Sequence, residues 1–337
     1  MTHVITLIKG DGIGAEVTQA CVDILQAAKV PITWDIQPLG LAAVEQYQEA
    51  LPQQTLLSIK KNKVALKGPT TTPLGTGHQS ANVLLRKNLD LYACIRPIKS
   101  SEGIVTRYEK VDLVIVRENT EGLYCGQELE IQPGVVISLR LMSKNACQRI
   151  VKKAFEFARL NNRKKVCLAH KANIIKKGDG LLLSCFQEIK KEYPDIIAEE
   201  MIIDALCMKM VINPHNFDVI VLENMFGDIL SDLASGLIGG LGVAPGANIG
   251  SEYAVFEPVH GSADDIKGLG IANPTACLKS AILMLEHIKE HEKACLIDKA
   301  LIQVLQKKEL RTKDLGGNSS TKEFVNHIIQ HINYLNN

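Results

Sequence analysis

The chain has 337 residues, of which 46% are hydrophobic and 22% charged. This composition is typical of globular proteins and excludes disordered, collagen-like and coiled-coil chains. The 38 basic and 37 acidic residues leave a formal charge of +1, so the basic excess typical of nucleic-acid binders is missing. One hydrophobic core normally stops growing at about 250–300 residues, and two domains are therefore expected.

The nine cysteines contain no C-x-x-C spacing of the redox or zinc type. Their even spread through apolar stretches indicates reduced, buried thiols. The N-terminus, MTHVITLIKGDGIG, lacks the basic and apolar regions of a signal peptide. No uncharged apolar run approaches the ~20 residues that span a membrane. The sequence thus predicts a cytoplasmic protein with no membrane partner.

Short β-rich runs alternate with helical patterns along the chain. Residues 4–8 form the first run, followed by a glycine turn and a helical pattern over 15–28. This alternation favours an α/β fold with a largely parallel sheet. Further strands are predicted at 64–66, 111–116, 166–169, 201–203, 219–222 and 254–256, and further helices at 275–290, 294–307 and 321–335.

Two segments depart from this alternation. Residues 122–143 consist of short β segments around Pro133-Gly134, which predicts a hairpin-like arm. Residues 236–250 are rich in glycine but interleaved with Leu, Ile and Val. They are predicted to be a packed turn region between domains.

The turn after the first strand, GDGIGA from Gly10 to Ala15, fits the pattern G-x-G-x-x-G/A. Asp35 lies about 20 residues on, where the acid that binds a ribose would stand in a Rossmann fold. The alternative is a tight glycine turn at a strand–helix junction. The remaining motifs favour a different architecture, so the Rossmann interpretation is the weaker one.

A pair of acids suggests a metal site. Asp228 and Asp232 are four residues apart in GDILSD, so a helix would place them on one face. They repel each other unless a cation lies between them, and carboxylate oxygens suit Mg²⁺ or Mn²⁺. Asp204 follows a predicted strand and is a candidate third ligand. A solvated helix start would account for Asp228 but poorly for Asp232.

A set of donors indicates a substrate with several carboxylates. Arginine binds carboxylates with two parallel hydrogen bonds, and three arginines stand near predicted element ends. Structural ion pairing is the commoner fate of any single arginine. The candidate substrate-binding residues are Ser80, Asn82, Arg86, Arg96 and Arg117.

Two further motifs supply candidates for proton transfer and nucleotide binding. Lys171 in AHKANI and Tyr124 in RENTEGLY carry groups that can transfer a proton when their pKa values move toward neutrality. The segment EPVHGSA, from Glu257 to Ala263, places His260 before small residues that allow a backbone to approach a nucleotide.

Nine motifs occur in an order that resembles the metal-dependent β-decarboxylating dehydrogenases, which act on isocitrate, isopropylmalate, homoisocitrate or tartrate. They are GDGIG, GPTTTPLGTG, SANVLLR, LDLYACIRP, RENTEGLY, HKANI, NMFGDILSDLASGLIGGLG, FEPVHGSA and IANPTA. The resemblance covers nearly the whole chain and implies the isocitrate/isopropylmalate dehydrogenase-like α/β fold, which is not a Rossmann fold. It implies a large cofactor-binding domain from residues 1–95 and 240–337, and a small domain from 96–239 that includes the arm.

The resemblance also implies a homodimer in which the arms interlock and the active sites are shared. Each cleft would receive Lys171 and Asp204 from the partner subunit, with Lys171 and Tyr124 as catalytic residues. Asp204, Asp228 and Asp232 would hold Mg²⁺ or Mn²⁺. The residues that match cofactor-binding positions are Thr71, Thr72, Asn173, Glu257, His260, Gly261, Ser262, Ala263, Asp265, Ile266 and Asn273.

Within the family, the chain most resembles the NAD-dependent isocitrate dehydrogenases. Ser80 and Asn82 stand where isopropylmalate enzymes have apolar side chains, and they suit a carboxylate. Asp265 and Ile266 stand where NADP-using relatives carry Lys and Tyr, which favours NAD. The alternatives are a homoisocitrate, isopropylmalate or tartrate dehydrogenase, or a regulatory subunit of a hetero-oligomeric isocitrate dehydrogenase. A regulatory subunit would be expected to lack part of the catalytic set.

Overall fold

A computed structural model describes residues 2–73, 75, 77 and 79–336. Leu74 and Thr76, two residues of the GPTTTPLGTG motif, lie outside the described residues. Within these residues ten strands form one sheet and two form a separate hairpin. The strands are β1 (His3–Ile8), β2 (Ile32–Ile36), β3 (Val64–Lys67), β4 (Ala93–Lys99), β5 (Asp112–Glu118), β6 (Gly122–Gln132), β7 (Val135–Leu141), β8 (Lys165–His170), β9 (Ile197–Ile202), β10 (Val219–Leu222), β11 (Pro245–Ile249) and β12 (Ala254–Pro258).

Helices cover the sheet. Apolar side chains of α1, α9, α10 and α11 are fully buried in one cluster that also contains side chains of the strands. No helix in the described part of the chain is long and apolar enough to cross a membrane. The helices are α1 (Gly14–Ala27), α2 (Leu41–Tyr47), α3 (Gln53–Asn62), α4 (Ala81–Asn88), α5 (Lys144–Leu160), α6 (Gly178–Ile189), α7 (Ile203–Ile212), α8 (Asn224–Leu237), α9 (Thr275–His287), α10 (His291–Gln306) and α11 (Thr321–Asn336).

The large sheet has the order β2-β1-β3-β12-β11-β4-β5-β10-β8-β9. The predicted largely parallel sheet is confirmed in its two outer parts, where β2, β1, β3 and β12 run parallel, as do β5, β10, β8 and β9. The three pairings in the centre are antiparallel. The two outer parts consequently run in opposite directions, and residues from both can meet only over the centre.

The strands that sequence patterns missed include two of the central ones, β4 and β11. The prediction that 236–250 is only a packed turn region is wrong, because Pro245–Ile249 forms β11 between β12 and β4. Four of its five residues are Pro245, Gly246, Ala247 and Asn248, which are not β-branched, so it lacked the usual strand signal. Small residues fit here because a Cβ on Gly246 would lie 3.0 Å from the Glu257 carbonyl oxygen.

The predicted arm is confirmed as a hairpin of β6 and β7 around a turn at Pro133-Gly134. Gly134 has a φ of +79°, which the turn requires and other residues rarely adopt. The arm is largely exposed and carries apolar side chains in the open, with Leu129 56%, Ile131 59% and Val136 59% exposed. A contiguous exposed apolar surface of this kind is typical of protein interfaces.

One predicted domain boundary lies between secondary-structure elements and the other lies inside a strand. The boundary at 239/240 lies between α8 and β11, where both glycines have positive φ values of 115° and 99°. The boundary at 95/96 lies inside β4, which pairs with β11 on one side and β5 on the other. The division into two domains stays a prediction.

We predict that replacing Lys279 stabilises the chain. Lys279 on α9 is half-buried, and its ammonium donates to the Ser101 hydroxyl. No carboxylate among the described residues pairs with it within 4 Å. Burial lowers the pKa of Lys279 from 10.5 to about 8, with Lys99 adding to the effect and Asp298 opposing it. The charged form is therefore penalised below pH 8, and the penalty disappears as the pH rises from about 8 to about 10.5.

Lys279→Met should accordingly raise the free energy of unfolding by about 1–3 kcal/mol at pH 7. Urea unfolding should show this gain shrinking toward pH 10. Lys299→Met, at an exposed position on α10, is the control and should show no such pH-dependent gain. A gain for Lys279→Met that did not change with pH would contradict the account.

Candidate functional site

The candidate site lies over the antiparallel centre of the sheet. Cross-strand partners share a face, and so do alternate residues along a strand. The registers of β12, β11, β4 and β5 therefore place Glu257, Asn248, Arg96 and Arg117 on the same face. Arg96 is 6% exposed and Arg117 1% exposed. Polar side chains from both outer parts of the sheet thus meet at one place.

Glu257 is the centre of a buried ion cluster. Its Oε2 lies 2.7 Å from Lys67 Nζ, and its Oε1 accepts hydrogen bonds from Asn248 Nδ2 at 2.7 Å and from Arg86 Nη2 at 3.3 Å. Burial opposes ionisation, but the charges of Lys67 and Arg86 outweigh it and lower the pKa of Glu257 to about 2. Both carboxylate oxygens are thus engaged within the chain, and they orient Arg86.

Lys67 and Asn248 were missed by sequence reasoning. Lys67 ends strand β3 and is 1% exposed, and a lysine is almost never fully buried unless it is paired. The available signal was a lysine that closes the apolar run Val64–Lys67. Asn248 stands in β11, which carried no strand signal, so its side chain could not be assigned to a face.

Helix α8 carries the predicted metal pair. The helix starts after Glu223, whose carboxylate accepts the backbone N–H groups of Met225 at 3.2 Å and Phe226 at 2.8 Å. Such a cap satisfies amides that have no partner within the helix, and its charge suits the helix N-terminus. Asp228 and Asp232 follow one turn apart, on the helix face that meets the two arginines of the sheet.

The two sheet arginines contact these carboxylates. Arg117 donates to Asp228 Oδ1 through Nη1, and to Asn224 Oδ1 through Nε at 3.1 Å and Nη2 at 2.7 Å. Arg96 Nη1 lies 3.2 Å from Asp232 Oδ1, and its Nη2 lies 3.6 Å from Asp228 Oδ1. Arg117 is therefore committed to holding α8 in place, whereas Arg96 lies between the two acids.

The pKa values of Asp228 and Asp232 are shifted in opposite directions. Burial tends to raise the pKa of Asp228, but Arg117 and a hydrogen bond from Tyr124 outweigh it and lower that pKa. Burial and the neighbouring Asp228 raise the pKa of Asp232. Burial and the hydrogen bond to Asp228 raise the pKa of Tyr124. The phenol therefore stays protonated and donates a hydrogen bond to the Asp228 carboxylate.

Helix α4 forms the opposite wall. Ser80 precedes its first turn and accepts the Val83 N–H at 3.5 Å. The Thr70 hydroxyl donates to Asn82 Oδ1 at 3.0 Å, and Arg86 is reached one turn later. The three predicted residues of this helix face the sheet arginines across a gap.

The gap is a cavity of about 250 Å³. Ten of the site residues predicted from the sequence line it. They include every predicted substrate-binding residue except Arg117, which lies behind the wall. The lining residues are Pro69, Thr70, Ser80, Asn82, Val83, Arg86, Arg96, Tyr124, Asp228, Asp232, Glu257, Pro258, Val259, His260 and Gly261.

Lys171, Asn173 and Asp204 do not line this cavity. Lys171 Nζ instead pairs with Asp204 Oδ1 at 2.6 Å, and Asp204 stands in the first turn of α7, where its side chain is 67% exposed. The hydrogen bond from Lys171 lowers the pKa of Asp204. Within one chain the structure thus separates these residues from the arginines, Tyr124 and α8.

The metal prediction is compatible with the donor chemistry of α8. Asp228 and Asp232 offer carboxylate oxygens, which hard divalent cations prefer. They do not form a complete site, since no group of three His, Cys, Asp or Glu side chains that could hold a metal occurs in the described part of the chain. The third predicted ligand, Asp204, is paired with Lys171 elsewhere in the same chain.

Two of the predicted cofactor residues, Thr71 and Ser262, lie at the glycine turn. A Cβ on Gly12 would lie 2.0 Å from the Ser262 carbonyl oxygen, so the turn packs directly on the loop after β12. Thr71 Oγ1 donates to Ser262 Oγ at 2.8 Å. Burial lowers the pKa of His260, whose Nε2 is buried without a hydrogen-bond partner. Of the rest, Thr72 follows β3, Gly261, Ala263, Asp265 and Ile266 follow β12, and Asn273 precedes α9.

The Asp35 carboxylate is not available to bind a ribose. Its carboxylate accepts hydrogen bonds from Ser58 at 2.7 Å, Gln37 at 2.6 Å and Asn62 at 3.0 Å. These bonds, led by that from Ser58, lower the pKa of Asp35. The Rossmann interpretation of the glycine motif therefore fails, and the motif is a tight turn at a strand–helix junction.

We predict that Gly227→Ala disrupts the site. A Cβ at Gly227 would lie 2.4 Å from Arg117 Cγ and 2.7 Å from its Cβ. This part of Arg117 is buried and cannot swing away, so overpacking should lower the free energy of unfolding by about 1–3 kcal/mol.

The matched control is Gly236→Ala on the same helix, where an added Cβ meets nothing within 4 Å. Its better helix propensity should raise stability by about 0.5–1 kcal/mol. Denaturant unfolding of both variants measures the difference. Equal effects of the two substitutions would show that the packing of Arg117 on Gly227 is unimportant.

Comparison with known proteins identifies the family of this chain. The sequence profile of the family described as "Isocitrate/isopropylmalate dehydrogenase" matches residues 4–328. The crystal structure of isocitrate dehydrogenase from Methylococcus capsulatus superposes with a TM-score of 0.96 at 48% identity, covering 98% of this chain and 99% of that one. The expected α/β fold of this family is thus confirmed.

Two curated relatives are components of NAD isocitrate dehydrogenases. Catalytic subunit 5 of Arabidopsis thaliana is 47% identical, covering 97% of this chain and 88% of the relative. A regulatory subunit from Dictyostelium discoideum is 46% identical, covering 97% and 91%. Both are named as mitochondrial proteins, so the cytoplasmic location expected from the sequence is wrong by this comparison. On the family match and these identities, the chain is a member of the isocitrate/isopropylmalate dehydrogenase family of oxidoreductases.

Proposed function

We propose that the chain catalyses the NAD-dependent oxidative decarboxylation of isocitrate to 2-oxoglutarate with Mg²⁺ or Mn²⁺. The charge balance of the ion cluster in and behind the cavity wall is the observation that carries this proposal. Four cations against three carboxylates leave one positive charge, and a divalent cation would raise it to three. Isocitrate carries three negative charges at neutral pH. The cations are Lys67, Arg86, Arg96 and Arg117, and the carboxylates are Asp228, Asp232 and Glu257.

The polar wall of α4 supports a tricarboxylate over isopropylmalate. Ser80 and Asn82 line the cavity, and an isopropyl group there would leave their hydroxyl and amide groups unpaired. Sites built to hydrogen-bond a substrate reject apolar analogues strongly. Homoisocitrate, which also has three carboxylates, remains the nearest competitor, and tartrate has only two.

The chain's own residues suit the three parts of the reaction. Arg86 and Arg96 would hold carboxylates, because both line the cavity and Arg86 Nε has no hydrogen-bond partner there. Lys171 of the partner subunit would take the proton of the substrate hydroxyl as the hydride leaves. Tyr124, which keeps its proton, would return one to the carbon that loses CO₂. When bound, NAD accepts the hydride and the divalent cation draws electron density from the hydroxyl and carboxylate oxygens.

A substrate panel tests the proposal. The purified single chain is assayed for NADH formation with isocitrate, homoisocitrate, isopropylmalate and tartrate, before and after removal of divalent cations with EDTA. We expect isocitrate to be used best, and activity to vanish with EDTA and return with Mg²⁺ or Mn²⁺. Preference for another acid, or undiminished activity in EDTA, would contradict the proposal.

The same assay decides between a catalytic and a regulatory subunit, since relatives of both names match at similar identity. The chain retains every residue of the predicted catalytic set, which supports a catalytic role. An inactive single chain that became active only with a different subunit would support the regulatory alternative. The full set is Arg86, Arg96, Arg117, Tyr124, Lys171, Asp204, Asp228 and Asp232.

We predict that NAD is preferred over NADP because Asp265, exposed on the loop after β12, would meet the extra phosphate. A charge pair at ~4 Å is worth ~4 kcal/mol at an effective dielectric constant of ~20. Solvent screening reduces this, but ~1.4 kcal/mol already gives tenfold discrimination. The ratio of kcat/KM for the two cofactors should therefore favour NAD by at least about tenfold.

The double variant Asp265→Lys with Ile266→Tyr should shift this ratio toward NADP. Asp23→Lys, at an exposed position on α1, controls for the change in total charge. A parent that used both cofactors equally, or a double variant with an unchanged ratio, would refute the assignment.

We also propose a homodimer with shared sites. The exposed apolar arm suits an interface, and Lys171 and Asp204 lie outside the cavity that holds the other predicted residues. Lys171→Met and Arg117→Ala chains should each be inactive. Mixed dimers should regain activity, because one cleft then carries both defects and the other carries neither. Lack of recovery after subunit exchange is shown, for example by native mass spectrometry, would argue against sharing.

A further inference from the structure

Arg140, on strand β7 of the arm, joins three elements. Its Nη1 donates a hydrogen bond to Asp179 Oδ1 on α6 at 2.6 Å. Its Nη2 forms an ion pair with Glu223 Oε2 before α8 at 3.3 Å, without hydrogen-bond geometry. The guanidinium also stacks over the Phe226 ring, 5.3 Å from its centroid. Neither carboxylate is accessible to water, since the side chains of Asp179 and Glu223 are 0% and 2% exposed.

Arg140 is the shared counter-ion of these two acids. Among the described residues, no other basic side chain lies within 4 Å of either carboxylate. Buried charges without a partner are strongly unfavourable. The planar fork of arginine can serve two carboxylates at once, which a lysine cannot do with the same geometry. The positions of α6 and of the start of α8 are therefore tied to the same guanidinium.

Asp179 and Glu223 each also contact an element that carries predicted active-site residues. Asp179 uses its second oxygen, Oδ2, to accept the backbone N–H of Lys171 at 2.6 Å. Glu223 caps the helix that carries Asp228 and Asp232. A shift of Arg140 would thus move the Lys171 loop on one side and the carboxylate helix on the other.

We infer that Arg140 is a positioning residue that couples the two clefts of a dimer through the base of the arm. The inference rests on the proposed function, in which Lys171 serves the partner's cleft while α8 serves the chain's own cleft. Arg140 does not line the cavity. Within one chain, it fixes both the Lys171 loop, which serves the partner's cleft, and helix α8, which serves the chain's own cleft.

Hybrid dimers separate the two effects of Arg140. In a dimer of one Arg117→Ala chain and one Lys171→Met chain, the only intact cleft belongs to the Lys171→Met chain and receives Lys171 from the other. Arg140→Met placed in the Arg117→Ala chain can disturb this cleft through the Lys171 loop and through Asp204, which pairs with Lys171. Placed in the Lys171→Met chain, it can disturb the same cleft only through α8.

We expect kcat to fall in both arrangements by about tenfold, as is typical when a group that supports a functional side chain is removed. Mn²⁺ affinity of the intact cleft, measured by electron paramagnetic resonance, should fall more when Arg140→Met is on the chain that supplies α8. That chain gives two of the three predicted ligands, Asp228 and Asp232, whereas the other gives only Asp204, which Arg140 reaches through the Lys171 ion pair. A purely structural role would not produce this asymmetry. The control is Arg159→Met, which removes an exposed ion pair with Asp195 and should change neither quantity.

Unchanged kcat in either arrangement would overturn the coupling, as would equal Mn²⁺ affinity in both. If Arg140→Met chains melt below the assay temperature, Arg140→Lys keeps the charge without the fork and is judged by the same criteria. Hybrids that remain inactive with native Arg140 would contradict shared sites instead. In that case an unchanged Mn²⁺ affinity of the Arg140→Lys homomer would refute the remaining link to α8.

Discussion

The site depends on a balance of buried charges over the antiparallel centre of the sheet. Burying a cation costs free energy unless carboxylates lie within pairing distance, and Lys67 and Arg117 are almost inaccessible. Glu257 satisfies Lys67 and shares Arg86, while Asp228 satisfies Arg117. Together with Arg86 and Arg96, which line the cavity, the whole cluster has one cation more than it has carboxylates. A divalent cation would add the charge that a polyanionic ligand needs.

This balance explains local features that otherwise look unrelated. Strand β11 reverses the sheet direction, and its small residues bring Glu257 level with Arg96. Gly227 lets α8 lie directly on the Arg117 side chain. Tyr124, at the base of the arm, donates to Asp228 and links the exposed hairpin to the buried charges. The site is therefore assembled from both outer parts of the sheet, α4, α8 and the arm.

Sequence patterns predicted the elements whose signals are local. The arm, helices α1, α9, α10 and α11 and the carboxylate pair of α8 follow from periodicity, turn chemistry and four-residue spacing, whereas helix α5 was not predicted. Sequence patterns did not predict long-range pairing. Lys67 and Asn248 can contact Glu257 only because β3, β12 and β11 are neighbours in the sheet. Glu223 was missed because a helix cap that is also a buried ion-pair partner of Arg140 looks like any acid before a helix. Asp35 misled because its spacing matched a ribose-binding acid while its carboxylate is held by Ser58 and Asn62. The roles assigned to the site residues remain predictions.

The central claim is that the cavity matches a tricarboxylate only when a divalent cation completes its charge. Calorimetric titration of the purified chain with isocitrate and with isopropylmalate, each with and without Mg²⁺, tests this claim most directly. The account predicts tight binding of isocitrate with Mg²⁺, much weaker binding without it, and weak binding of isopropylmalate in both conditions. Isocitrate binding that does not depend on Mg²⁺, or isopropylmalate binding of equal strength, would contradict it.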